Sequence, residues 1–234
     1  MKVLAGIGKA VAYAIGAITL LFVLIQAWFF AHVLYWERFD PGPTSFMEQR
    51  LAELRAKKPK AELKHRWVDY ERISNHLKRA VVAAEDAKFI DHEGFDWEGI
   101  QRAIEKNQRR GKVVAGGSTI SQQLAKNLFL SGERSVLRKG QEAIITMMLE
   151  WTLSKRRIFE LYLNVAEWGE GVFGAEAAAR HYYGVSAAHL TPEQAARLAA
   201  MLPRPRFYDR NRGSRYLAQY TDRILARMPG AQIP

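Results

Sequence analysis

The sequence predicts a mainly α-helical body carried on one N-terminal transmembrane helix. Three observations carry that prediction. An apolar run of 27 residues from Ala10 to Trp36 has no formal charge, capped amphipathic segments recur from Ile73 onward, and no stretch alternates with the period of two that marks a strand. At 234 residues without internal repeats, the chain can build one sizeable core, or a core and a small lobe. It divides into a short N-terminus over 1–9, an anchor over 10–36, a juxtamembrane linker over 37–66 and the body over 67–234.

The run from Ala10 to Trp36 exceeds the roughly 20 apolar residues that cross a bilayer. A cleaved signal peptide has a shorter apolar core followed by small residues, whereas this run ends in Trp28, Phe29, Phe30, Tyr35 and Trp36, an interfacial aromatic belt. Lys2 and Lys9 precede the span, and Arg38, Arg50 and Arg55 follow it. Glu37 and Asp40 on the far flank favour a cytoplasmic N-terminus with the body outside. Beyond the span, Asp40 to Ser45 is rich in proline and glycine and is expected to separate the body from the membrane. Met47 to Lys60 reads as a solvated charged helix or linker.

Net charge is +11 and cysteine is absent. There is therefore no disulfide framework and no thiolate metal site. The positive charge suits an anionic partner, but zinc-finger spacing, an RNP-type motif and a lone basic helix are all missing, so nucleic acid is not expected.

Ile73, Leu77, Val81 and Ala84 form one face of a helix that starts near Ser74 and delivers Glu85 and Asp86 at its end. A carboxylate on the last turn of a packed helix suits proton transfer, since partial burial tunes its pKa. Asp91, His92 and Glu93 are consecutive and cannot converge from regular structure, so a metal site is not expected there. Trp97 to Asn107 reads as a short helix with Ile100, Ala103 and Ile104 inward. The glycine-punctuated 108–117 segment is expected to be mobile over a cleft.

Gly116 to Asn127 is the most organised polar stretch. Thr119 and Gln122 have capping-box spacing, and the first turn of the helix they start suits an anion. Arg134, Arg138 and Glu142 recur every four residues, the spacing of one helical stripe. With Lys139 and Lys126 they make a cation cluster fit for a diphosphate. That stripe continues as an apolar helix through Ala143, Ile144, Met147, Met148 and Trp151. Ser154 then caps an amphipathic helix to Asn164, and Gly169, Gly171 and Gly174 form a turn. Ala175 to Tyr183 is a helix stopped by Gly184, and Thr191, Pro192 and Gln194 open another that ends at Pro203.

Five blocks in order resemble the family 51 peptidoglycan glycosyltransferases, across about Trp67 to Tyr208. They are Glu85, Asp86, Phe89, His92 and Gly94; Gly116 to Asn127; Arg138, Lys139 and Glu142 with Leu149 and Glu150; Ser154, Lys155, Ile158, Glu160 and Tyr162 to Asn164; and Gly174, Ala178, Ala179 and Tyr182 to Gly184, with Ala195, Ala196, Leu202 and Pro203 after them. One span without a second large domain is similar to the monofunctional members. The resemblance implies a lysozyme-like helical glycosyltransferase domain, a large lobe with a small mobile lobe, and polymerisation of lipid II outside the bacterial cytoplasmic (inner) membrane.

On that resemblance, Glu85 is the general base and Glu142 the second glutamate, near the departing diphosphate. Lys126, Arg134, Arg138 and Lys139 bind the diphosphate. Asp86, Phe89, His92, Ser118, Thr119, Gln122, Gln123 and Asn127 line the cleft. No cofactor is required, and the chemistry admits a divalent cation, Mg or Mn, with the substrate diphosphate. Partners are lipid II, the growing glycan strand, the membrane and cell-division or elongation proteins. Thr146, Gln194 and the Asp209-Arg210 pair after Tyr208 depart from the family pattern, away from the proposed chemistry. A membrane-anchored lytic transglycosylase or muramidase using Glu85 as acid is the rival enzyme, though it has no diphosphate to neutralise. A helical adaptor for cell-wall machinery is the non-enzymatic alternative.

Overall fold

A computed structural model describes residues 2–112, 116–133 and 135–234. Helix α1 (Lys2–Trp36) contains a 30-residue segment, Ile7–Trp36, long and apolar enough to cross a membrane. Helix α2 (Ser45–Lys57) follows, capped by the Thr44 hydroxyl on Met47 N–H. Of the two readings of this charged segment, helix or linker, the helix holds, but it is not wholly solvated: Phe46 and Met47 are buried in the common core. Nor is the connector before it a spacer. The Arg157 guanidinium donates to the carbonyls of Trp36 and Phe39, at 2.8 and 2.7 Å, and to Asp40.

The body is built of α3 (Asn75–Glu85), α4 (Trp97–Arg110), α5 (Ile120–Phe129), α6 (Val136–Thr152), α7 (Lys155–Val165), α8 (Ala175–Tyr183), α9 (Pro192–Met201), α10 (Pro205–Arg210) and α11 (Arg215–Arg227). Most begin as the sequence predicts. Ser74, Ser154 and Thr191 each accept the N–H three residues on, and Thr119 and Gln122 form the full capping box. The apolar stripe of α3 packs on α9 and α11, while α5 packs on α6 and α7. Leu77, Val81, Ile120, Leu124, Ile145, Leu149, Phe159 and Trp168 fill the core between them.

The body is mainly α, as the sequence predicts, and the described residues add three short strands to it. β1 (Lys64–His65) lies parallel to β3 (Val172–Phe173), which pairs antiparallel with β2 (Glu167–Gly169). Segments of two or three residues cannot display a period of two. Asn164 ties this sheet to α7: its amide donates to the Val68 and Glu160 carbonyls and accepts from Val68 N–H at 2.9 Å. Gly174 must be glycine beside it, since φ is +83° and a Cβ would stand 2.8 Å from the Asn164 carbonyl oxygen.

Helix α4 runs one turn further than expected, so Gln108 to Arg110 are helical and Gly111 caps the end in the left-handed region. The expected mobility of 108–117 falls in part on 113–115, outside the described residues. Ile104 was expected inward and is exposed, whereas Ala103 is buried. In α6 the apolar residues face two ways. Ile145 and Leu149 enter the core, but Val136, Leu137, Met147 and Trp151 are exposed.

The anchor packs on this same helix. Gln26 and Gln141 exchange two amide hydrogen bonds, at 3.0 and 2.9 Å. Trp28, Phe29, His32 and Trp36 surround the Phe129 ring, with centroids 4.9 to 6.2 Å away.

Candidate active site

Glu85 is the C-terminal residue of α3, and the chain turns immediately after it. Its Oε2 accepts from Gln123 Nε2 at 2.7 Å, and the Gln123 carbonyl oxygen accepts from the Tyr162 hydroxyl at 3.1 Å. The phenol thus fixes which way the Gln123 amide faces. The other carboxylate oxygen, Oε1, is buried without a hydrogen-bond partner. Burial pushes the Glu85 pKa up, against the Gln123 hydrogen bond and the positive charge of Lys126. Glu85 is therefore a better base than an ordinary surface carboxylate, with one oxygen held and one available.

Asp86, next in the chain, orients the wall. It accepts from Ile120 N–H at 3.0 Å, satisfying an N-terminal donor of α5. It also meets His92 Nε2 at 3.0 and 3.1 Å. Gly94 N–H donates to His92 Nδ1, so the imidazole carries its proton on Nε2 and donates it to Asp86. Thr119 donates to the Gly94 carbonyl at 2.7 Å, closing the loop between α3 and α5.

The second carboxylate, Glu142, is buried on α6. Arg138 donates to it at 2.7 Å, and Lys139 binds its other oxygen while approaching Ser118 Oγ at 3.4 Å. Lys126 points into the same region from α5. Burial lowers its pKa, Glu142 opposes that, and the nearby Arg138 and Arg50 charges reinforce it.

One cavity is lined by Glu85 itself and a second by its partner Gln123. The first, of about 210 Å³, is lined by Glu85, Asp86, Gly117, Ser118 and Thr119 with the first turn of α4. The second, larger at about 590 Å³, is lined by Gln123, Lys126, Asn127 and Tyr162 on one side and by α2 and α10 on the other. The two linings meet at the Glu85–Gln123 hydrogen bond. The Glu142 cluster adjoins them through Lys139 at Ser118 and through the charges of Glu142 and Arg138 on Lys126, so that together they form the cleft wall. Phe89 and His92, expected to line the cleft, stand behind it. Phe89 is fully buried against Phe159, with Lys155 over its ring. An apolar ring next to carboxylates in sequence packs inward because that is where burial gains most. The Gln122 side chain is spent on the capping box. Arg134 lies outside the described residues.

Sequence reasoning passed over Arg50, Glu167 and the run Arg204, Arg206 and Arg210, all of which line the larger cavity. The dense arginines after Pro203 were the only local signal. Among the described residues no three His, Asp or Glu side chains converge to hold a metal ion.

The transglycosylase family model matches residues 49–229. The chain belongs to the transglycosylase family. This transglycosylase is 67% identical over 214 residues to the biosynthetic peptidoglycan transglycosylase of Dechloromonas aromatica, covering 92% of this chain and 93% of that one. Against the protein of the same name in Laribacter hongkongensis it is 58% identical, over 97% of this chain and 99% of that one. The Janthinobacterium sp. relative, again so named, is 64% identical over 92% and 93%. The transglycosylase is thus an enzyme of glycosyl transfer, and among the described residues α1 is the one helix long and apolar enough to cross a membrane.

Proposed function

We propose that this transglycosylase polymerises lipid II into glycan strands. The relatives' shared name supports the peptidoglycan substrate. In the proposed reaction the 4-hydroxyl oxygen of lipid II attacks C1 of the growing strand, whose bond to undecaprenyl diphosphate breaks with inversion. The hydroxyl proton goes to Glu85 Oε1, and the diphosphate leaves with the bonding electrons. A neutral hydroxyl needs a base. The leaving group needs its negative charge met, and Lys126, Arg138 and Lys139 supply that, with Arg134 as the resemblance implies. Glu142 holds Arg138 and Lys139 in place. A magnesium or manganese ion would enter with the diphosphate, as part of the substrate. The body faces the extracytoplasmic side of the cytoplasmic membrane, where division or elongation proteins are its proposed partners.

One observation carries this reading: a buried carboxylate with a free oxygen shares a wall with a cation cluster. A glycan-cleaving enzyme has no use for the cluster. Incubation of labelled lipid II with the purified protein should give polymer, and Glu85→Gln should give none. Shortening of preformed glycan without polymer would transfer the assignment to a lytic enzyme.

A further inference from the structure

Helix α2 contributes more to the cleft than its place beside the anchor suggests. Phe46 and Met47 fix it in the core. One turn on, the Arg50 guanidinium sits 4.6 Å from the centroid of the Phe46 ring, and Lys126 Nζ stands 5.3 Å from the same centroid. The two cations thus share one aromatic support. Both line the cavity of about 590 Å³, together with Arg204, Arg206 and Arg210, and the one carboxylate in that lining is Glu167.

Glu167 accepts from Arg50 Nε at 3.3 Å, and its other oxygen lies 3.8 Å from Arg206 Nε, too far for a hydrogen bond. That oxygen is buried and unpartnered. Arg50 is also held at Nη1 by Glu53, which meets Arg206 as well, at 3.2 Å. So Arg50 is oriented by two carboxylates from two elements, and only 15% of its side chain is exposed. Five cations thus line a cavity whose lining holds one carboxylate, with Glu53 at its edge, and the excess positive charge is relieved by an anion. A rigid planar guanidinium is the side chain best suited to receive it.

We propose that Arg50 is a substrate-positioning residue which, with Lys126, clamps an anionic group of the lipid-linked substrate, Glu167 and Glu53 holding the guanidinium at its post. This rests on the reading of the cleft as the site of a diphosphate-bearing substrate. The anion is a diphosphate oxygen or a carboxylate of the stem peptide, which offer the same chemistry.

The test uses the full chain in lipid nanodiscs, with lipid II and with the same lipid-linked disaccharide lacking its peptide. Arg50→Gln and Arg50→Ala should raise KM about tenfold with kcat within about twofold, and Arg50→Lys should recover part of the loss. A tenfold rise on both substrates assigns the diphosphate; a rise confined to lipid II assigns the peptide carboxylate. Substrate affinity measured on the Glu85→Gln background should weaken in parallel, so the clamp is tested without turnover. Unchanged KM and affinity for Arg50→Gln would overturn the proposal. So would a loss in kcat alone accompanied by a lower Tm, which marks a purely structural helix contact. Polymer made by Glu85→Gln would instead sink the assignment of the base and leave the clamp standing.

Discussion

At the scale of single residues, the cleft depends on how Glu85 is kept available. Gln123 holds one oxygen and, by donating to the charged form, favours ionisation. Burial works the other way and prevails, so the acid limb of kcat/KM should lie above 4.5, the ordinary value of a glutamate. Gln123→Leu removes the donor and should move that limb higher still, as pH–rate profiles of the two proteins would reveal; an unmoved limb would detach Glu85 from the profile. The same group makes a stability prediction. A carboxyl whose folded pKa is raised binds its proton more tightly in the folded state, so stability is lost as pH rises from the unfolded value towards the folded one. Glu85→Gln should therefore make no detectable polymer and yet melt higher at neutral pH. Each 1 kcal/mol relieved corresponds to about 2–4 °C in Tm. Below about pH 4 both proteins carry a neutral group and the difference should vanish. Melting curves across that range check the sign.

At the scale of elements, two long-range ties were invisible to local reading. Caps were legible because a Ser or Thr and the N–H it accepts lie three residues apart, so α3, α5, α7 and α9 start where the sequence predicts. Glu85, Gln123 and Lys126 were legible only through the order of their motifs, since nothing local says that α3 and α5 share a wall. Arg50 with Glu167 and Gln26 with Gln141 are 117 and 115 residues apart, and no periodicity encodes such pairs. The second pair joins the membrane span to the helix that carries Glu142. Gln26→Leu and Gln141→Leu should each destabilise the protein in nanodiscs by leaving one amide unpaired, while the double variant recovers. A coupling of about 0.6–2 kcal/mol is expected from a thermal double-mutant cycle; additive losses would mean that the two amides act independently. Gly174→Ala tests the sheet that Asn164 ties to α7. Positive φ and the Asn164 carbonyl together should cost about 2 kcal/mol or more, read as a lower Tm.

At the scale of the whole molecule, the anchor and the cleft are one construction. Helix α6 presents Arg138, Lys139 and Glu142 to the substrate wall, and Gln141, on its other side, to the span. Val136, Leu137 and Trp151 on the same helix are 90, 88 and 86% exposed, and many apolar residues of α1 are exposed as well. Gln26 lies within the apolar segment Ile7–Trp36, so its bond to Gln141 brings α6 against the span itself. On the proposed reading, a substrate whose diphosphate is tethered to a lipid tail would reach the cation cluster of α6 without leaving the membrane. That placement has a measurable cost if disturbed. Leu137→Glu or Trp151→Glu puts a charge on an exposed apolar position that lines neither cavity, and that charge is costly if the position meets lipid. For either variant, kcat/KM with substrate embedded in vesicles should fall about tenfold, the cost of roughly 1.4 kcal/mol in productive docking. In detergent micelles, where no bilayer plane has to be matched, the same variants should stay within about twofold of the parent. Equal losses in vesicles and micelles would place the damage in the fold of α6, and no loss in vesicles would show that the body stands clear of the lipid.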